Sequence, residues 1–153
     1  MNEMDKKKIA DIMEKHDIIV GYLFGSAARG QMGYNSDIDV AVLFDENKVP
    51  REKQYDKKLA ISHEIAQGFS VRDADVINLN ETTNPVLRYE AVLEGEVIFV
   101  KDSTARARLA CAVLHEYEDT RYLRETSYRI LREQIKSGAF GRVPIRSQTY
   151  VAA

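Results

Sequence analysis

A single cysteine, Cys111, stands among the 153 residues, so no disulfide can form within the chain, which suits a reducing compartment. Its neighbourhood, RLACAVLHEY, is apolar and small at helical spacing, which predicts a buried structural thiol rather than a nucleophile. Basic excess is missing too. Lysine and arginine total 22 against 24 aspartates and glutamates, for a formal charge of −2, and both signs spread along the chain. Without a basic footprint, direct nucleic-acid binding is not expected. No run approaches the ~18 apolar residues of a membrane span. The opening MNEMDKKKIADIMEKHD carries charges throughout and no apolar core of a secretory leader. Internal repeats and low-complexity linkers are also lacking. These absences leave one cytoplasmic domain, with no membrane partner, as the expectation.

What is present alternates between two periodicities. Ile9, Ile12 and Met13 fall at helical spacing up to about His16, and DIIVGYLFG follows as a β-rich run ending at Gly25. DIDVAVLF, Asp37 to Phe44, predicts a second strand, closed by the loop DENKVP. From Glu52 to Gly68 the spacing predicts a helix, with Tyr55, Leu59, Ser62 and Ala66 in one stripe, Lys58, Ile61 and Ile65 in the next, and Gly68 as the stop. DADVINLN, Asp73 to Asn80, predicts the third strand. Asn84 and Pro85 open a short helix that Gly95 ends before the strand EVIFV. From about residue 103 to 137 the pattern is helical for about nine turns, with a stripe of Leu109, Val113, Tyr117, Thr120, Leu123, Ser127, Ile130 and Gln134. The expected organisation is an α/β domain over 1–137, a mixed β-sheet flanked by helices with a long C-terminal helix, and a flexible tail over 138–153.

The chemistry concentrates in GSAARGQMGYNSDID, Gly25 to Asp39. Successive strand residues face opposite ways, so Asp37 and Asp39 share a face while Ile38 turns to the core. Two adjacent carboxylates repel unless a cation holds both ionised. An oxygen-only donor set suits Mg²⁺ or Mn²⁺, with water or phosphate in the other positions. Gly25 and Ser26 end a strand where a helix could begin, a place where free backbone N–H groups attract phosphate, and Arg29 adds a positive fork. A phosphate cradle beside a metal-binding pair describes phosphoryl or nucleotidyl transfer. A third carboxylate has two candidates, Asp73 and Asp75. Asp75 shares a face with Ile77 and Leu79 within the strand pattern and is favoured, whereas Asp73 at the strand mouth reads as a solvated turn residue.

Gly25-Ser26, ten residues, then Asp37-Ile38-Asp39 resembles the signature of the nucleotidyltransferase superfamily that includes DNA polymerase beta. Over most of residues 5–137, including GSAARG, SDIDVAVLF, DADVINLN and NPVLRYEAVLEG, the chain is similar to the minimal nucleotidyltransferases, and most to the antitoxin family of the HepT/MntA pairs. The resemblance implies a polymerase beta-like fold and an adenylyltransferase that uses ATP and Mg²⁺. Its acceptor would be a tyrosine of a HEPN-type ribonuclease toxin, silenced by the attached AMP. It implies Asp37, Asp39 and Asp75 as metal-binding catalytic residues, and Gly25, Ser26, Arg29 and Ser36 as nucleotide-binding ones.

Other features weigh less. Arg108, His115 and Tyr117 superficially resemble a HEPN segment, but four strand patterns leave no room for that helical bundle. Arg108 and His115 read as exposed helix residues. His16 and His63 have no partner at ligand spacing. Tyr34 and Asn35 lie in the loop expected to cover the triphosphate. The alternating charges after residue 104 suit either a solvated helix face or a docking surface for a helical partner. Two rivals remain: transfer to a small hydroxylated molecule such as an aminoglycoside, and an antitoxin that masks its toxin without catalysis.

Overall fold

β-Branched and apolar runs become strands over nearly the expected spans in a computed structural model that describes residues 1–28 and 37–141. The strands are β1 (Ile18–Phe24), β2 (Ile38–Phe44), β3 (Ala74–Asn78) and β4 (Glu96–Val100), in one sheet of order β3-β2-β1-β4. β1 runs antiparallel to β2 and β4, whereas β2 and β3 are parallel. A helical crossover between β2 and β3 makes the parallel pairing possible. The sheet is therefore mixed and flanked by helices, as expected.

Local chemistry sets the helix ends. α1 (Glu3–Lys15) begins where the Asn2 side chain accepts the Asp5 N–H at 2.8 Å. α2 (Gly25–Ala28) is a single turn at the end of β1, and α3 (Arg51–Phe69) is the crossover helix. α4 (Pro85–Tyr89) has Asn84 as cap, accepting from the Val86 and Leu87 N–H groups, with Pro85 in the position where a missing N–H costs nothing. A π-helical turn, Glu90–Glu94, continues it. Asp102 accepts from the N–H groups of Thr104 and Ala105 and opens α5 (Ser103–Asp119). α6 (Arg121–Ser137) ends at Gly138, which adopts a left-handed conformation.

One sheet face, with Leu23, Ile38, Val40, Val42 and Val76, packs on Ile9 and Met13 of α1 and Ile61 and Ile65 of α3. The other, with Val20, Tyr22, Phe24, Ala41 and Leu79, packs on Ala91 and Val92 of the π turn and Leu109 and Val113 of α5. Alternation along β2 thus sends Ile38 and Ala41 to opposite sides and leaves Asp39 on the α5 side.

Several expectations change. The helical pattern from 103 to 137 divides at Thr120 into α5 and α6, and the residues fall into two compact units that meet between Glu118 and Asp119. In the first unit Leu109 and Val113 of the apolar stripe are buried; in the second, no α6 residue is. Cys111 is exposed rather than buried, because it lies off the Leu109–Val113 stripe. In α3 the buried side is Gln54, Ile61 and Ile65, while Tyr55 and Leu59 are exposed. Periodicity missed Gln54 because it is polar. Its amide donates to the Val49 carbonyl at 3.1 Å and its oxygen accepts from Asn78 at 2.8 Å, so burial leaves no polar group wanting. α3 also runs past Gly68 and stops at Ser70, whose φ is 52°. His16 lies at the end of α1 with Nε2 2.9 Å from Glu64 Oε1. Among the described residues, no helix is long and apolar enough to cross a membrane.

Candidate active site

The sheet register assembles the carboxylates. Asp39 is the partner of Phe24 on β1 and of Asp75 on β3. Partner residues on adjacent strands project from the same face about 4.8 Å apart, so Asp39 and Asp75 stand side by side although 36 positions separate them in the sequence. Ile38 is fully buried, Asp39 half-buried, and Asp37 exposed just ahead of β2. Asp75 is exposed between the buried Ala74 and Val76.

A cleft of about 410 Å³ opens between the start of β3 and α3, lined by Asp37, Asp73 and Asp75 and, from α3, by Lys58, Leu59 and Ser62, while Asp39 faces the α5 side of the sheet. Ser62 Oγ donates to the Ala74 carbonyl at 2.6 Å and so ties α3 to the start of β3. Asp37 and Asp75 thus share a cleft, while Asp39 and Asp75 share a register. Asp73, expected as a solvated turn residue, is exposed and also lines the cleft. Lys58, Leu59 and Ser62 carry no sequence signal for this role, since they sit on a helix whose place depends on the crossover.

Gly25 closes the site on the β1 side. Its φ is +68°, and a β-carbon added there would lie 2.1 Å from Asp39 Oδ2. Only a residue without a side chain fits both the backbone and the carboxylate. Ser26 follows in α2. Arg29 and Ser36, with Tyr34 and Asn35, lie outside the described residues. A recess of about 110 Å³ next to the turn is lined by Phe24, Gly25, Ala28, Glu90 and Glu94. Gly95 lets the chain close tightly on the end of the π turn, since a β-carbon there would meet the turn's own Ala91 carbonyl at 2.2 Å and the Leu23 carbonyl of β1 at 3.1 Å. Deeper on the same sheet face, burial pushes the Tyr22 phenol up, with the Arg106 guanidinium pulling the other way.

Among the described residues, no three carboxylates, histidines or thiols are gathered closely enough to hold a metal ion unaided. The donor set nonetheless fits a cation that arrives with its nucleotide. Mg²⁺ is usually held by one or two carboxylates plus phosphate oxygens and water. A triphosphate laid against Gly25 would face Asp39, Glu90 and Glu94, so it needs a divalent countercharge to settle there. Asp39 and Asp75, with Asp37 at the cleft, are the residues that would hold it.

Residues 7–104 match the family model described as polymerase beta, nucleotidyltransferase. A Methanocaldococcus jannaschii protein named as a candidate protein adenylyltransferase is 33% identical over 101 residues, which is 61% of this chain and 95% of that protein. A spectinomycin 9-adenylyltransferase of Staphylococcus aureus is 39% identical over 67 residues, covering 42% of this chain and 26% of the enzyme. Among solved structures, a chain from a toxin–antitoxin complex with AMP-PNP aligns with a TM-score of 0.69 at 21% identity, covering 83% of this chain and 98% of its own. A chain from a variant MntA–HepT toxin–antitoxin complex aligns with a TM-score of 0.68 at 20% identity, covering 86% and 99%. The two structures share the fold. The family match spans the strands, the Gly25 turn and all three aspartates, and the chain belongs to the polymerase beta nucleotidyltransferase family.

Proposed function

We propose that this nucleotidyltransferase is an antitoxin that transfers AMP from ATP to a tyrosine of a helical HEPN-type ribonuclease toxin in the cytoplasm. The observation that carries the reading is the pairing of Asp39 with Asp75 beside the side-chain-free Gly25. Gly25, Ser26, Arg29 and Ser36 bind the triphosphate. Asp37, Asp39 and Asp75 hold Mg²⁺, which supplies countercharge to the phosphates and to the oxygens of the reacting bonds. The tyrosine oxygen bonds to the α-phosphorus, and the bond from that phosphorus to the β-bridging oxygen breaks. Pyrophosphate leaves with the electron pair, and the phenolic proton passes to the Asp75 carboxylate. Asp75 suits that role because it lines the open cleft as well as pairing with Asp39.

The acceptor class draws support from the relative named for protein adenylyl transfer and from the toxin–antitoxin complexes that share the fold. Likeness to the spectinomycin enzyme covers only 26% of that protein, so it speaks for a shared nucleotidyl-transfer core and not for a drug acceptor.

The decisive experiment pairs wild type with Asp37→Asn/Asp39→Asn, which removes two charges and keeps the strand's outline. The double variant should still bind the toxin, leave it without the mass of AMP and fail to protect cells at equal abundance. Wild type should leave AMP on a tyrosine, and the toxin should stay inactive once the antitoxin is removed. Equal protection by both proteins makes masking the better account. Transfer of the γ-phosphate from ATP would make the protein a kinase.

A further inference from the structure

α6 is a strongly two-sided helix whose apolar side is uncovered. Leu123, Ser127, Ile130 and Gln134 recur at spacings of four and three, and Tyr128, Leu131 and Ile135 form the adjoining row. Leu123 is 65% exposed, Tyr128 51%, Ile130 47% and Ile135 57%, and none of the helix's 17 residues is buried. The corresponding stripe of α5 places Leu109 and Val113 in the core. An isolated helix of this length is marginal in water, because helices in proteins draw most of their stability from packing an apolar face.

The polar side has a sign. Away from the apolar rows α6 carries Arg121, Arg129, Arg132 and Lys136 against Glu125 and Glu133, while Arg124 heads the row of Tyr128, Leu131 and Ile135. Arg132 and Lys136 stand one turn apart, next to the row that ends at Ile135, and both are exposed. A second copy of the same basic helix would bring like charges together, so self-pairing is disfavoured. Lipid is a poor match as well. Ser127 and Gln134 sit within the apolar stripe, and hydrocarbon offers them no hydrogen bonds, whereas a facing helix can.

We propose that α6 is the docking helix for the acceptor protein, and that the surface it takes is an acidic amphipathic helix. The apolar rows supply contact area and the arginines select the sign of the partner. Recognition and chemistry then reside in different parts of the chain. The identity of the partner as the acceptor rests on the protein-adenylylation reading; the docking itself does not.

The test uses the full chain and three probes: a synthetic helical peptide with leucines on one face and glutamates on its flanks, the same peptide with lysines for the glutamates, and phosphatidylcholine vesicles containing phosphatidylglycerol. The acidic peptide should bind at least about tenfold more tightly than the basic one, weakening as salt rises. Arg132→Glu/Lys136→Glu should reverse that order, which also shows that the helix still forms. Ile130→Asp should weaken both peptides. Equal affinity for the two peptides, or an order that the charge reversal leaves unchanged, overturns the proposal. So does binding to vesicles in preference to the acidic peptide, or concentration-dependent self-association lost in Ile130→Asp. Label from the α-phosphate of ATP reaching a toxin equally well with wild type and Ile130→Asp also overturns docking through α6 while leaving adenylyl transfer standing. Absence of label on any protein acceptor, with charge-selective peptide binding intact, strikes the adenylylation reading alone.

Discussion

Gly25 and Asp39 are in contact across the end of the β1–β2 pair, so close that a single added methyl group on Gly25 would fall 2.1 Å from Asp39 Oδ2. The turn that ends β1 and the second aspartate of the pair are therefore one structural unit. A left-handed glycine lets the chain turn back over the carboxylate, and the carboxylate's position is set in turn by its place opposite Phe24.

Gly25→Ala tests that unit. Its β-carbon displaces the Asp39 carboxylate and strains a backbone at φ +68°, a conformation that costs a non-glycine residue about 1–2 kcal/mol. Thermal unfolding should show that loss, and α-label transfer from ATP should fall further than stability explains. Wild-type transfer would mean that Asp39 tolerates displacement.

Asp75 and Asp73 differ in register although both line the cleft. Asp75→Asn should lower transfer at least about a hundredfold, the usual scale for removing a proton acceptor, with circular dichroism unchanged. Asp73→Asn should lower it much less, because Asp73 precedes β3 and has no partner position beside Asp39. The reverse ranking would assign the third carboxylate to Asp73.

Gln54→Ala removes the link between Val49 and Asn78 and leaves the buried Asn78 amide without its acceptor. An unsatisfied buried donor costs about 1–3 kcal/mol, which denaturant unfolding would register as a lower midpoint. Transfer per folded molecule should hold, since α3 meets the cleft through Lys58, Leu59 and Ser62.

Glu64 provides a pH test. His16 first, then Lys15, hold its carboxyl below the ordinary value of 4.5. A carboxylate with a depressed folded-state pKa contributes stability above its unfolded value and loses it as pH falls through the folded one. Wild type should therefore exceed Glu64→Gln in stability at neutral pH by less than about 1 kcal/mol, as befits a partly exposed pair. That gap should close below about pH 4.5. A gap that widens in acid contradicts the assignment.

The strands, the helix caps at Asn84 and Asp102 and the span from Gly25 to Asp39 are readable from the chain because each depends on residues within a turn or a strand's length. The order of turn and paired aspartates also carries the family signature. Gln54 escapes the sequence pattern and Cys111 departs from it for one reason: helical spacing describes faces without naming what stands opposite them. Asn78 allows a polar residue inside, and the position of Leu109 and Val113 leaves the thiol outside. The apolar stripe continuing from 109 to 134 reads the same on both sides of Thr120, yet one part is buried and the other is not.

Residue order along the chain was enough to place Asp39 on a strand after a glycine turn, with Asp37 two residues earlier; the expected strand start at Asp37 moves to Ile38, so Asp37 stands just outside the local alternation rule that fixes Asp39. Their relation to Asp75 was not local. It follows from the parallel pairing of β2 with β3 and from a register in which a shift of one residue would send Asp75 to the opposite face. That register is held by Ile38, Val40, Val42, Ala74 and Val76 filling one core. Which carboxylates meet is thus decided by the packing of apolar residues on the far side of the sheet.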